Sequence, residues 1–399
     1  MGDGVADERR LENWIEAYLD YVSYNKEPPL SYKTWVAIST VAAVLQRKCY
    51  LTWDKQVYPN LYVVLVGPSA ARKGSAMQPA AALLRQTGIA LSPEAVTREQ
   101  LIRRLKQSSN EEFVSENGIP QRQASLTIFS EELTVFLGYN NINLMSDLCN
   151  WYDCPDPWSY EPKHGEKDNI KNVWVNLIGA TTPRLLQTTL PQDSIGGGLT
   201  SRIIFVFEPH KEATDPRPFK NTRTLELEEH LQHDLGKIHT LQGEFEIDES
   251  FLHSWDNWYK EQDSNPPFSD SRLEPYLGRR GTHILKISMI MNASRFDGNM
   301  LLTSKDFNMA TAELAKIEKK MPQVFLGVGS SDLSAVTGSI MKTIASRRAI
   351  TFNNLLGLHM HDADLEALKK VLDTLTAMEV DGKKFCSWDK VRGLITYIE

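Results

Sequence analysis

The sequence predicts an α/β fold: a three-layer sandwich around a parallel sheet, framed by helical segments and closed by a C-terminal winged helix. Three observations carry this expectation. Leu61–Val66 (LYVVLV), Ser125–Phe129 (SLTIF), Val173–Ile178 (VWVNLI) and Ile203–Phe207 (IIFVF) are short apolar runs rich in β-branched residues, the composition of strands covered on both faces. Helical patterns alternate with these runs, as parallel strands require of their crossovers. Residues 332–399 read as helix, short helix, helix and hairpin.

Taken in order, Leu11, Trp14, Ile15, Tyr18, Leu19 and Val22 recur at helical spacing, Pro28 and Pro29 interrupt, and Tyr32 to Leu45 resumes the pattern. The strand at Leu61–Val66 stops at Gly67, and a helix follows around Met77, Ala81 and Leu84. Thr97 to Gln100 has the form of a capping box. Residues 108–123 are polar and predict a loop. After Pro209 the stretch Lys211–Thr224 reads as a linker, and residues 225–325 are helical by pattern. Asp364 is a fitting N-cap for the helix from Leu365, and Asp381-Gly382 signals a turn. Ser330, Ser331 and Asp332 mark a boundary, so four segments are expected: 1–50 helical, 51–224 core, 225–330 helical, and 331–399 winged helix.

Composition narrows the class. The chain has 399 residues and a net charge of −7, so contact with nucleic acid would have to run through local basic patches. Cys49, Cys149, Cys154 and Cys386 form no CxxC pair, which argues against structural zinc and for free thiols in a reducing compartment. The start, MGDGVADERRLENW, carries no apolar signal region, and no apolar run is long enough to cross a membrane. A cytoplasmic location without membrane attachment is the expectation.

The most informative stretch is Gly67-Pro-Ser69-Ala-Ala71-Arg72-Lys73-Gly74-Ser75, set between strand and helix. Chemistry on phosphates needs backbone N–H groups aimed at oxygen and the positive end of a helix, with Lys73 reaching the β- and γ-phosphates. Two residues depart from GxxxxGK[ST]: Arg72 replaces the second glycine, and Gly74 takes the hydroxyl position, leaving Ser75 one place later. A plain strand-turn-helix with incidental basic residues is the competing reading. Further on, the SLTIF strand ends in Ser130-Glu131-Glu132. Carboxylates there order Mg²⁺ and polarise the attacking water, Glu131 before Glu132; alternatively they are acidic residues of a helix's first turn.

The third strand ends in Thr181-Thr182-Pro183, where a hydroxyl can meet the γ-phosphate or simply begin a turn; Asn176 sits too early on the strand to be preferred. Asp193 to Arg202 is a glycine-bearing segment that delivers an arginine to the start of the IIFVF strand. Trp158 to Lys171 reads as two short strands around a turn, with Lys163, His164 and Lys167 at the tip for phosphate contacts, or as a solvated loop. Arg279 and Arg280 open a helix; most arginines so placed serve a polar face.

In this order the elements resemble the phage and plasmid replication ATPases, MCM-like and superfamily-three-like AAA+ helicases of the P-loop NTPase class. The likeness runs over about residues 30–320 and rests on the GPS…RK loop, the SEEL segment, the GATTP strand end and the GG…R arginine. It implies ATP and Mg²⁺ held by Gly67, Ser69, Ala71, Arg72, Lys73, Gly74 and Ser75. It implies Arg202 as an arginine finger into the neighbouring subunit, a helical lid at 225–330 with Arg279 and Arg280 on the nucleotide, and a pore hairpin on single-stranded DNA. The expected protein is a homo-oligomeric, hexameric DNA helicase working with a primase or other replication proteins. A helicase loader or annealing factor with little unwinding is the second expectation. A packaging or partitioning ATPase is a third, for which no nuclease module or partner tail is visible.

Overall fold

In the computed structural model the four apolar runs lie side by side as one sheet. The structure describes residues 8–109, 111–114, 120–161, 167–190, 197–325, 332–360, 364–377, 379–380 and 383–398. Two compact units divide the chain, Met1–Val324 and Phe325–Glu399.

The first unit opens with α1 (Trp14–Tyr21) and α2 (Leu30–Leu45), then β1 (Tyr62–Val66), α3 (Lys73–Thr87) and α4 (Arg98–Ser108). Next come β2 (Glu111–Val114), β3 (Pro120–Ser130), α5 (Ile142–Tyr152), β4 (Val173–Thr181) and β5 (Ile203–Phe207). The sheet order is β2-β3-β4-β1-β5; the last four are mutually parallel, and β2 pairs antiparallel with β3. Every residue of β1, β4 and β5 is buried. Successive side chains point to opposite faces, so both faces of the sheet are covered.

Residues 108–123, expected as a loop, instead carry β2 and the first turns of the β3 ladder. Gln121 and Arg122 are exposed there because this end of β3 runs beyond the covered sheet and pairs only with an edge strand. A ribbon of mostly polar residues leaves no apolar period to detect.

The amino-terminal helices belong to the core. All residues of α2 from Tyr32 to Leu45 are buried. A helix buried all round has no face to give to water, and α2 packs on β1, β4, β5 and α3. Asn176, in the middle of β4, joins the layers: its Oδ1 accepts from the Leu61 N–H at 2.9 Å and its Nδ2 donates to the Ser39 carbonyl at 3.3 Å. That spends the amide entirely on structure. Segments 1–50, 51–224 and most of 225–330 therefore share one unit, and the division falls at Phe325.

The predicted helical stretch after Pro209 is α6 (Thr222–His239), α7 (Glu249–Gln262), α8 (Arg280–Ser294) and α9 (Ser304–Glu318). Two buried ion pairs tie α8 to α9: Arg280 with Glu318 at 2.7 Å, and Arg295, just past α8, with Asp306 at 3.0 Å. His283 of α8 faces the start of the sheet. Its Nε2 lies 3.3 Å from the Ser201 carbonyl and its Nδ1 3.1 Å from the Tyr152 hydroxyl, so Nε2 carries the proton and Nδ1 accepts.

The second unit has α10 (Asp332–Arg347), β6 (Ala349–Thr351), α11 (Phe352–His359), α12 (Leu365–Ala377), β7 (Cys386–Asp389) and β8 (Leu394–Tyr397). Its antiparallel sheet has the order β6-β8-β7. Ile340, Ile344, Leu368, Leu372 and Ile395 are among its buried core. Asp364 caps α12 as expected, its Oδ1 accepting from the Ala367 N–H at 2.7 Å. The expected turn at Asp381-Gly382 and the boundary serines Ser330 and Ser331 lie outside the described residues. Among the described residues no helix is long and apolar enough to cross a membrane.

Burial depresses the His283 pKa to about 3. A base whose folded pKa lies below its unfolded one costs nothing above the unfolded value, near 6.5; stability is lost as pH falls below it, because only the unfolded chain takes up the proton. His283→Gln keeps a donor and an acceptor without a titration. Between pH 7 and pH 5 its urea-unfolding free energy should therefore fall by about 2 kcal/mol less than that of the native sequence.

Candidate active site

The sheet order creates a divergence at β1. The chain leaves β1 toward β3 on one side and leaves β4 across β1 to β5 on the other. In open α/β sheets such a switch point opens a crevice outside the carboxyl ends of the strands. The loop 67–72 fills the mouth of that crevice.

Gly67 is there because the backbone is crowded. Its N–H donates to the Thr181 carbonyl at 3.3 Å, and a Cβ would collide with the Tyr32 hydroxyl and lie 2.5 Å from the Glu208 carbonyl. Tyr32 in turn donates to the Val66 carbonyl at 2.7 Å, which clamps the strand end. Beyond Gly67 the chain turns through exposed Pro68, Ser69 and Ala70 to buried Ala71, whose N–H donates to the Pro68 carbonyl at 3.0 Å.

Lys73 folds back over this turn. Its Nζ donates to the Gly67 and Pro68 carbonyls, each at 2.8 Å, and only 8% of the residue is exposed. Burial lowers its pKa, and the Glu132 carboxylate opposes the shift. Arg72, the N-cap of α3, makes no side-chain cap, so the N–H groups of Lys73, Gly74 and Ser75 lack acceptors within the helix. Three donors and a cation thus face one spot, the arrangement an oxyanion requires.

The two departures from the loop motif have separate causes. Arg72 stands at φ 61° and ψ 32°, the left-handed region that glycine adopts freely and arginine at a cost. Its side chain reaches Glu27, Nε to Oε2 at 2.7 Å, and Lys211 meets the same carboxylate at 2.7 Å. At Gly74 the reason is space: a Cβ there would lie 2.7 Å from Glu131 Oε2. The carboxylate that ends β3 reaches across to the first turn of α3, so loop and acid meet.

Burial raises the pKa of Glu131, Glu94 adds to the rise, and a hydrogen bond from Gln78 opposes it. Glu132 is exposed and begins a short helix, Leu133–Leu137. Ser130 is buried within the ladder opposite Gly179, so it presents no carboxylate. Thr181 is buried beside the Gly67 strand end and its hydroxyl makes only a 3.4 Å contact with the Thr182 carbonyl; Thr182 caps the helix that follows, its Oγ1 accepting from the Leu185 N–H. Thr181, not Thr182, keeps a hydroxyl for the crevice. Lys73, Gly74, Ser75, Glu131, Glu132 and Thr181 are therefore neighbours. Gln78 and Glu94 join them without any sequence signal, since neither stands in a motif.

Arg202 lies at the other end of the sheet. Ile203 pairs with Tyr62 at the amino ends of their strands, so the length of β1, about 13 Å, separates Arg202 from the loop strand's exit. Arg202 is 9% exposed; Nη2 meets Asp153 Oδ2 at 2.5 Å and Nη1 donates to the Gly198 carbonyl at 2.6 Å. Arg279 reaches the same Asp153 at 3.4 Å. Of the two arginines expected on the nucleotide, Arg279 sits with Arg202 on Asp153, and Arg280 is paired with Glu318 while lying 5.3 Å over the Trp258 ring.

The expected hairpin is present as Trp158–Tyr160 paired antiparallel with Asp168–Ile170. Trp158 and Tyr160 stack with centroids 6.2 Å apart, and Lys106 of α4 pairs with Asp168 at 2.5 Å. Lys167 is exposed; Lys163 and His164 lie outside the described residues, as do 191–196 of the glycine-bearing segment. A cavity of about 980 Å³ among Trp53, Trp255 and Tyr259 does not include the loop. The sequence matches no protein-family model and no curated protein.

Two stability comparisons test these local readings. Both Arg72→Gly and Arg72→Ala lose the Glu27 pair, but only glycine relieves the backbone, so Arg72→Gly should be the more stable of the two by about 1 kcal/mol in urea unfolding. Gly67→Ala should lower the melting temperature by several degrees, because neither the Glu208 carbonyl nor the strand end it belongs to can retreat; an unchanged melting temperature would show that the clamp yields.

Proposed function

We propose that this chain is an ATPase that binds the triphosphate at the 67–75 loop and completes its site with Arg202 of a second copy. The observation that carries the reading is the meeting of Lys73, the uncapped first turn of α3 and the Glu131 carboxylate at one switch point. Hydrolysis needs a cation on the phosphates, donors for the charge that develops, and a base for water. Lys73 supplies the first by leaving the loop carbonyls for phosphate oxygens. The N–H groups of Gly74 and Ser75 supply the second.

Glu131 takes the proton as water attacks the terminal phosphorus and the bond to the bridging oxygen breaks, releasing ADP and phosphate. Its raised pKa strengthens it as a base. Ser75 and Glu131 are the residues that would hold Mg²⁺, which neutralises phosphate charge when bound. Arg202, on the far edge of the sheet, can reach a phosphate only on a neighbouring subunit, which favours a closed ring with hexameric symmetry.

We extend the reading to translocation on single-stranded DNA within a phage or plasmid replication system. Lys167 and the stacked Trp158–Tyr160 pair combine cation and aromatic surface, the elements of a strand-tracking hairpin. The second unit's three helices and antiparallel sheet support a winged-helix assignment, for DNA or for a partner such as a primase. A loader or annealing factor is the second reading. The strained Arg72 and the missing carboxylate at Ser130 favour it, since both would slow hydrolysis.

Lys73→Ala should abolish nucleotide binding, whereas Glu131→Gln should retain it and lose about 10²-fold or more in turnover. Lys73→Ala and Arg202→Ala chains, each inactive alone, should regain part of the DNA-stimulated hydrolysis when mixed, because an intact loop on one then meets an intact arginine on the other. Mixtures that stay silent would sink the shared site, and slow hydrolysis indifferent to DNA would support the loader.

A further inference from the structure

Asp153 is placed where a carboxylate is least favoured. It caps the carboxyl end of α5, whose exposed carbonyls already carry partial negative charge. Two arginines offset it: Arg202 at 2.5 Å and Arg279 at 3.4 Å. The cationic surplus is larger than that pair. Lys286, fully buried, has its Nζ 4.3 Å from the centre of the Tyr152 ring and donates to Asn60 Oδ1 at 2.5 Å. Lys55 lines the same small cavity of about 40 Å³ together with Asp153, Arg279 and Lys286.

Arg202 is also incompletely served, since its Nε is buried and has no hydrogen-bond partner among the described residues. A buried guanidinium that keeps an idle donor is matched to an acceptor richer than one carboxylate. Asp153 itself is 38% exposed at its side chain, so it can swing into solvent without breaking the core.

We propose that Arg202 and Arg279, backed by Lys286, form an oxyanion site in which Asp153 stands in for the ligand, and that the terminal phosphate of a nucleotide held by a second copy displaces it. This rests on the shared-site reading above and adds a gate to it. Arg279 acts beside Arg202 and across the subunit boundary. With no triphosphate opposite, Asp153 pairs with both arginines, offsets part of their charge and keeps them on their own chain. A phosphate brings more charge and three acceptor oxygens, enough for both guanidinium groups and the idle Nε.

The test uses inorganic tripolyphosphate as probe and the Lys73→Ala chain as background, which removes the loop as a competing site. Adding Asp153→Asn should tighten tripolyphosphate binding about tenfold by calorimetry, and adding Arg202→Ala to that pair should erase the gain. Equal affinity with and without Asp153→Asn, in chains that keep the native far-UV spectrum, overturns the proposal; so does a gain that survives Arg202→Ala, which would mark an adventitious surface site. Where Asp153→Asn fails to fold, Asp153→Ser takes its place with the same two outcomes.

A second readout separates this proposal from the reading beneath it. Lys73→Ala chains with and without Asp153→Asn are mixed as arginine donors with Arg202→Ala chains. The KM for ATP should fall about tenfold with the Asp153→Asn donors while kcat changes little. An unchanged KM in mixtures that do hydrolyse overturns the gate and spares the shared site. A tripolyphosphate gain in chains whose mixtures stay silent supports the anion site and overturns the shared one.

Discussion

The constraint on which the rest depends is the double covering of the parallel sheet. With β1, β4 and β5 buried on both faces, their backbone groups are consumed by the ladder and their side chains by packing. Polar chemistry can surface only where strands end. That confines it to two edges: the carboxyl edge, with Gly67, Lys73, Glu131 and Thr181, and the amino edge, with Asp153, Arg202 and the hairpin stem. Even the polar side chains inside obey the rule, as Asn176 shows by spending its amide on Leu61 and Ser39.

At the carboxyl edge, both unusual loop residues become intelligible once the neighbours are known. Gly74 yields its usual hydroxyl because Glu131 occupies the space a side chain would take. Arg72 accepts an unfavourable backbone and reaches Glu27, a residue of the amino-terminal segment. The segment before β1 is thereby joined to the loop that follows β1, through Glu27 on Arg72 and through Tyr32 on the Val66 carbonyl. What reads in sequence as a lead-in is part of the loop's support.

The two edges are complementary in charge and incomplete alone. The loop edge offers a cation and a base while its one guanidinium, Arg72, is paired with Glu27, and the amino edge offers two guanidinium groups that share the carboxylate of Asp153. In the shared site proposed above, such halves would meet in a head-to-tail assembly that joins one edge to the other.

The strands were legible from sequence because a strand covered on both faces needs an unbroken apolar run, and four such runs stand out between helical patterns. Lys73 and Glu131 were legible because strand ends are where such runs stop. The sequence therefore determined the fold class, the strand-loop-helix at Gly67 and the acids after Phe129. It could not reveal β2, a short edge strand without an apolar pattern, nor the burial of α2 under the sheet. It could not separate Arg279 from Arg280, adjacent in the chain and opposite in role, or single out Asp153, Gln78 and Glu94. Periodicity reports how a segment meets its own surroundings, apolar or wet. Which side chain meets which across 49 residues, as Asp153 meets Arg202, is set by strand order and helix packing, and those only the tertiary structure decided.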